Sequence, residues 1–333
     1  MKGTEILLGH VKDRAAAALI VDGTLEDVLV ETDAPTPGTI YRARATRPVK
    51  GQGGMFFDTP DGSAFLRGAK GIASGETHLV QVSGYAEPGK AIPVTGKVLF
   101  KSRFAIVTPD APGMNLSRAI KDEDMRGYIR AAAETELAEH STHGVILRSS
   151  CEGAEADEIA EDVDAMLSLA NAVLGDQGDE IEKLLDGSGP EEFGWREWSK
   201  APVRETDLAD LVDEALQAEC GLPGGGSIVI EPTRAFVAVD VNTGRNTSPA
   251  AGLKTNLATA KTLPRLLRIK GLGGQIVVDF APMPKNDRRA LDAALNAAFR
   301  KDSIETTLVG WTTLGHFELA RKRARAPLHE VLR

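Results

Sequence analysis

The chain has 333 residues, 42% of them hydrophobic and 26% charged, and a formal net charge of -9. This length suggests two or three domains with real cores, while no apolar run approaches the roughly 20 residues that cross a bilayer. Charges interrupt the apolar N-terminus, so it does not read as a signal peptide, and only two cysteines, Cys151 and Cys220, point to a reducing compartment and exclude a Cys-rich zinc site.

Residues 1–35 alternate as strands, EILLGHV, AAAALIVDG and LEDVLVET, with Asp22-Gly23 as a hairpin signal. DAPTPG at 33–38 is a Pro/Gly linker. Residues 39–110 then give short strands punctuated by Gly and Pro, the pattern of a small β-barrel or sandwich. Tyr41, Phe56 and Phe65 lie there among Arg42, Arg44, Arg47, Lys50, Arg67 and Lys70. Aromatics among cations suit a stacking platform for single-stranded nucleic acid, and core packing is the competing use. Adjacent strand residues face opposite sides, so of Phe56 and Phe57 one is core and the other surface.

Residues 117–140 read as a helix with Ser117 as N-cap. GVILRSS (144–150) is a strand, and 155–174 an acidic amphipathic helix. The acidic stretch 175–204 has no clear pattern. LADLVDEALQAECG (208–221) reads as a helix closed by Gly221. GLPGGGS lacks the Lys-Ser/Thr of a phosphate loop and reads as a tight turn. SIVIEP and AFVAVD form an expected antiparallel pair, followed by a helix that Pro264 should kink or start. Then come QIVVDF, the loop APMPKND, a helix from 288, the strand TTLVGWT and a basic helix, LGHFELARKRARAPLHEVL. The six histidines lack metal-ligand spacing; His140 and His143, three apart, read as structural.

The chemistry concentrates late in the chain. Asp240 closes AFVAVD and Asp279 closes QIVVDF. Carboxylates at the exits of buried strands need partners, and a divalent cation held by one or two carboxylates plus waters is one. Asn242 is spaced to orient such a site. If the two strands are neighbours, the pair suits metal-assisted phosphodiester hydrolysis, although phosphatases, sugar-nucleotide enzymes and structural ion pairs share the pattern. Charge is also segregated: residues 231–333 hold 17 Lys and Arg against 9 Asp and Glu, the remainder 22 against 39. Such asymmetry suggests a polyanionic partner for the basic third.

GLPGGGSIVIEPTRAF, AVDVNTGR, TNLATAKTLPRLLRIKGLGGQIVVDF and LGHFELARKR resemble, in order and spacing, the catalytic region of the ribonuclease E/G family. The resemblance extends more weakly over the rest of the chain. It implies an α+β multidomain fold: a split RNase H-like domain (1–35 and a shortened 176–215), an inserted OB-fold RNA-binding barrel (36–115), a 5′-sensor-like segment (116–175) and a DNase I-like catalytic domain (216–333). It implies endonucleolytic cleavage of single-stranded RNA in a cytoplasmic protein, with Asp240 and Asp279 holding Mg2+, or Mn2+ in its place, and Asn242 completing the catalytic site. Arg148 and Ser149 match the pair that holds a 5′-monophosphate. Phe56 and Phe65 match RNA-stacking aromatics, and Lys90, Arg118, Arg321 and Lys322 are candidate RNA contacts, with Arg323 and Arg325 beside them. Two departures stand out. Ala281-Pro282-Met283-Pro284 replaces a segment that usually carries another acid, and the cysteines do not match the family's zinc link, so neither zinc nor a zinc-linked tetramer is expected. The first departure motivates an alternative, an RNA-binding or RNA-chaperone protein with weak or no nuclease activity.

Overall fold

Strands β1 (Thr4–Val11), β2 (Arg14–Val21) and β3 (Thr24–Val30) form an antiparallel meander. The β2–β3 turn is Asp22-Gly23, with φ of 49° and 78°, as a two-residue type I′ hairpin requires. The structure is a computed structural model describing residues 3–49, 51, 53–109, 111–139, 142–198, 201–245, 248 and 250–333. Lys50 and His140 lie outside the described residues. The chain folds as two compact units, Met1–Thr32 with Val203–Arg333, and Asp33–Pro202.

The unit of Asp33–Pro202 begins with β4 (Ile40–Val49), β5 (Gly54–Thr59), β6 (Gly62–Arg67), β7 (Thr77–Val82) and β8 (Ile92–Thr95). They pair in the order β4-β5-β6-β8-β7, and β7 pairs back onto β4, closing a five-stranded barrel. Only β6 and β8 run parallel. This order is that of an OB-like barrel. Its interior holds Tyr41, Ala43, Met55, Phe57, Val80 and Val94.

A second sheet, β11-β12-β10-β9, follows from β9 (Phe100–Lys101), β10 (Ala105–Thr108), β11 (Gly113–Leu116) and β12 (Gly144–Leu147). Helices α1 (Glu123–Glu139) and α2 (Ala156–Leu174) share its core. Ser117 does not cap α1. Its Oγ accepts a bond from the Ala119 N–H, and the helix starts after Asp122, whose Oδ1 accepts from the Met125 N–H at 2.7 Å. In α2 the capping box of Glu155 and Glu158 sets the start. Its buried stripe of Ile159, Val163, Leu167 and Ala170 has helical spacing. The unpatterned region supplies β13 (Glu182–Leu185), which pairs with β4, and α3 (Pro190–Glu197).

The chain returns to the first unit with β14 (Val203–Glu205), parallel to β1, and α4 (Ala209–Leu216). This helix ends at Leu216; Gly221 instead closes β15 (Glu219–Gly221). Then follow β16 (Ser227–Pro232), β17 (Val237–Asn242), α5 (Ala251–Ile269), β18 (Gly274–Asp279), α6 (Arg288–Lys301), β19 (Thr306–Trp311), β20 (Phe317–Arg321) and the short α7 (Leu328–Val331). The sheet order is β15-β16-β17-β18-β20-β19. β16 and β17 are antiparallel, as expected, and α5 makes the crossover between parallel β17 and β18. Pro264 lies inside α5 and does not mark its start. The expected basic helix is instead β20, a loop and α7: Phe317, Leu319 and Arg321 alternate inward, the period of a strand. Among the described residues, no helix is long and apolar enough to cross a membrane.

Candidate active site at the ends of two parallel strands

Along β17, Val237, Val239 and Val241 are buried while Asp240 and Asn242 are exposed. In β18, Ile276 and Val278 are buried and Asp279 is exposed. The period of two thus puts the carboxylates on the face opposite the apolar core. The parallel register pairs Asp240 with Asp279, so both leave the same end of the sheet from strands about 4.8 Å apart. Like charges in directly opposed positions repel, by about 1 kcal/mol at ~5 Å in water. No Lys or Arg pairs with either among the described residues. Asp240 accepts a hydrogen bond from Asn242 Nδ2 at 2.8 Å, and His316 Nε2 stands 3.9 Å from Asp279 Oδ1. Among the described residues no group of three or more His, Cys, Asp or Glu side chains is arranged to hold a metal ion. The donors here are two carboxylates and a neighbouring amide, a set of hard oxygens suited to Mg2+ or Mn2+.

Two supports of this sheet end were not read from the sequence. Asn256 on α5 is fully buried. Its Nδ2 donates to the Ala281 carbonyl at 2.8 Å, and its Oδ1 accepts from the Ala281 N–H at 3.0 Å, fixing the backbone two residues past Asp279. The signal was a polar residue within the apolar stripe of a helix. Gly252, one turn earlier, lets the same loop approach, since a Cβ there would sit 2.0 Å from the Pro282 carbonyl oxygen. His316 is the second support. It lies in the β19–β20 turn, where His316 N–H donates to Thr312 Oγ1 at 3.1 Å. The GLPGGGS segment is a turn, as expected: Gly226 has a φ of +86°, and a Cβ there would lie 2.4 Å from the Asn242 carbonyl oxygen.

On the barrel, Phe56 and Phe65 are cross-strand partners with ring centroids 5.0 Å apart. Both are half-buried, and Arg47 lies 4.6 Å over the Phe56 ring. Phe57 is the core member of its pair, at 0% exposure. Tyr41 also belongs to the core, and its hydroxyl donates to Asp61. Arg42 is buried against Asp176 and Glu182, so it does not join an outward cationic rim. Lys90 is exposed beside Glu87, with which it pairs, and Arg118 is exposed in a turn.

Arg148 follows β12 and is already engaged: Nη1 donates to the Ser102 carbonyl at 2.6 Å, and Nη2 to Glu197. Burial pushes the Glu197 carboxyl up, but the Arg148 and Arg196 guanidinium groups outweigh it and hold the carboxyl below its ordinary range. Ser149 is exposed beside it. Burial of Cys151 raises its thiol to about 11, which fits an inert core residue.

The basic tail divides. Lys322 is exposed. Arg321, in contrast, has a side-chain exposure of 0% and pairs with Asp302 at 2.6 Å. Arg325 is buried against Asp27 at 2.8 Å, and Arg268 joins Glu26, Asp27 and Asp302 into the same network. The RNA-contact expectation for Arg321 and Arg325 is therefore corrected, because both guanidinium groups neutralise interior carboxylates.

The sequence profile of the Ribonuclease E/G family matches residues 100–188 and 195–324. Ribonuclease G of Escherichia coli strain K12 is 26% identical, over 98% of this chain and 81% of the relative. Ribonuclease G of Haemophilus influenzae is 26% identical, over 100% of this chain and 82% of the relative. Ribonuclease E of Nostoc sp. is 29% identical, over 78% of this chain and 45% of the relative. The profile spans most of the chain, including both strand-end aspartates, and the chain belongs to the ribonuclease E/G family.

Proposed function

We propose that this chain is a divalent-metal-dependent endoribonuclease that cleaves single-stranded RNA in RNA processing or decay. The observation that carries the proposal is the register pair of Asp240 and Asp279, two carboxylates side by side at one sheet end without a Lys or Arg partner among the described residues. Family membership and the names of the relatives support the reaction class. Asp240 and Asp279 would hold Mg2+, with Mn2+ as the substitute. Bound there, the ion supplies a Lewis acid that polarises the scissile phosphate and makes a water nucleophilic. Asn242 fixes the Asp240 carboxylate through its amide, and Asn256 holds the backbone after Asp279.

The substrate reading is single-stranded RNA laid over the tilted Phe56–Phe65 pair, which offers ring faces and a neighbouring Arg47 to bases and phosphates. We also infer that Arg148 and Ser149 receive a 5′-monophosphate, which would have to exchange with the Glu197 carboxylate. The finer architecture we infer is a split RNase H-like domain carrying the OB-like barrel and sensor, followed by a DNase I-like domain; the pairing of β14 with β1 supports a domain assembled from two separated segments. Such a substrate implies the cytoplasm.

The test is incubation of an end-labelled, A/U-rich single-stranded RNA with Mg2+ or with EDTA. Internal cleavage in Mg2+ alone supports the proposal. Binding without cleavage in both supports an RNA-binding or chaperone role instead, the reading that the acid-free loop after Asp279 favours.

A further inference from the structure

We propose that Arg288 is a phosphate-binding residue of the Asp240–Asp279 site, gripping an RNA phosphate beside the scissile bond. The proposal rests on the nuclease reading above. It begins with an arginine that lacks what the other inward arginines of its unit have. Arg268, Arg321 and Arg325 each meet a carboxylate. The Arg288 side chain makes no hydrogen bond or ion pair among the described residues, and its Nε is buried without an acceptor. Its guanidinium carbon lies 4.1 Å over the centre of the Trp311 ring.

The ring under that stack is anchored on three sides. Trp311 Nε1 donates to Asp292 Oδ1 at 2.9 Å, and the indole packs on Phe317 and Phe280 with ring centroids 5.2 and 5.8 Å away. Asp292, one helical turn beyond Arg288 and in reach of an i,i+4 pair, thus holds the ring on which the arginine lies. Arg288 is also the first residue of α6, and the first turn carries no acid. A cation at this helix end is disfavoured by the helix dipole. Stacking covers the face of the guanidinium and leaves its edge, the part that forms paired hydrogen bonds to phosphate oxygens.

The position matches the site. Val278 pairs with Phe317, and Phe317 with Trp311, so the stacking ring lies one row from Asp279 on the core face, and the approach from it to the carboxylates runs over the end of the sheet. Arg288 Nη2 is 3.5 Å from where a Cβ on Gly315 would be, and the next residue, His316, stands 3.9 Å from Asp279. The two carboxylates attract a metal ion, while phosphate oxygens approaching it need a counter-charge on the other side. The stack on Trp311 holds Arg288 at this end of the sheet before substrate arrives, the condition under which electrostatic stabilisation is strongest.

The test uses the full chain with Arg288→Gln, which keeps a planar group over Trp311 but removes the charge, and Arg288→Lys, which keeps charge without the fork. Two readouts are needed: Mg2+-dependent cleavage, and the salt dependence of binding to a single-stranded oligoribonucleotide in EDTA. R288Q is expected to lower kcat/KM by at least about 30-fold and to reduce the slope of log K against log salt by about 0.7, one phosphate contact. R288K should keep the slope and recover part of kcat/KM. If R288Q does not fold, R288K carries the test: a kcat/KM equal to the parent's overturns the fork. For folded R288Q, an unchanged slope with a kcat/KM within about twofold of the parent's overturns the proposal. Because the slope is read in EDTA, a parent that never cleaves would sink the nuclease reading while leaving this contact independently measurable.

Discussion

Asn256 offers the sharpest test of how the site is built. Asn256→Ala would strand two buried backbone groups, the N–H and C=O of Ala281, which now receive bonds of 3.0 and 2.8 Å. Each lost bond is worth about 1 kcal/mol net, and each unsatisfied buried group costs about 1–3 kcal/mol. Allowing for partial relaxation and entry of water, the loss should be about 2–4 kcal/mol. For a unit of this size each kcal/mol shifts Tm by about 2–4 °C, so its transition should fall by roughly 5–15 °C. The loop after Asp279 would lose its anchor, so Mg2+-dependent cleavage should drop further than stability alone explains at a temperature where the variant is folded. Asn256→Asp retains the acceptor for Ala281 N–H but faces its carbonyl with an oxygen, and should lose more than half as much. Urea melts followed by circular dichroism, with cleavage assays on the folded variants, read both effects. An N256A variant within about 0.5 kcal/mol of the parent and equally active would refute the argument that this clamp positions Asp279.

The remaining predictions concern the barrel, the ion network and pH. Phe56→Ala and Phe65→Ala should each weaken single-stranded RNA binding by about 1–3 kcal/mol with little change in Tm, whereas Phe57→Ala should cost about 3–5 kcal/mol of stability; titrations and melts of the three variants compare them directly. Arg321→Met should destabilise by about 3–5 kcal/mol, because Asp302 is left buried with less compensation, while Lys322→Ala should leave stability unchanged and reduce the salt slope of RNA binding. Glu197 has a lowered folded pKa, so its contribution to stability is present above its ordinary value of 4.5 and is lost as pH falls through the lowered one. Glu197→Gln should therefore flatten the acid limb of the stability profile, as urea melts between pH 3 and 7 would show (~1 pH unit steps suffice).

What could be read from the sequence follows the range of the interactions involved. The Asp22-Gly23 hairpin, the stripe of α2 and the strand ends at Asp240 and Asp279 each depend on residues within a few positions. Their spacing therefore carried the information. Arg321 and Arg325 did not reveal their use, because their partners, Asp302 and Asp27, are remote in sequence or carry no local mark. The same cluster of cations disguised β20: its inward positions include an arginine, which hides the alternation of a strand. Gly221 and Ser117 are good helix-boundary residues in general, but a β15 strand and an Asp122 cap took those roles here. Asn256 broke the apolar stripe of its helix, but its use was not legible, since a buried side-chain amide is explained only by the loop it holds.

The most direct test of the central claim replaces each strand-end carboxylate by its neutral isostere and measures cleavage and binding on one RNA. Asp240→Asn and Asp279→Asn should fold, bind the single-stranded RNA at least as tightly as the parent in EDTA, and lose Mg2+-dependent cleavage by several orders of magnitude. Cleavage at the parent rate by either variant would contradict a metal site shared by the two aspartates.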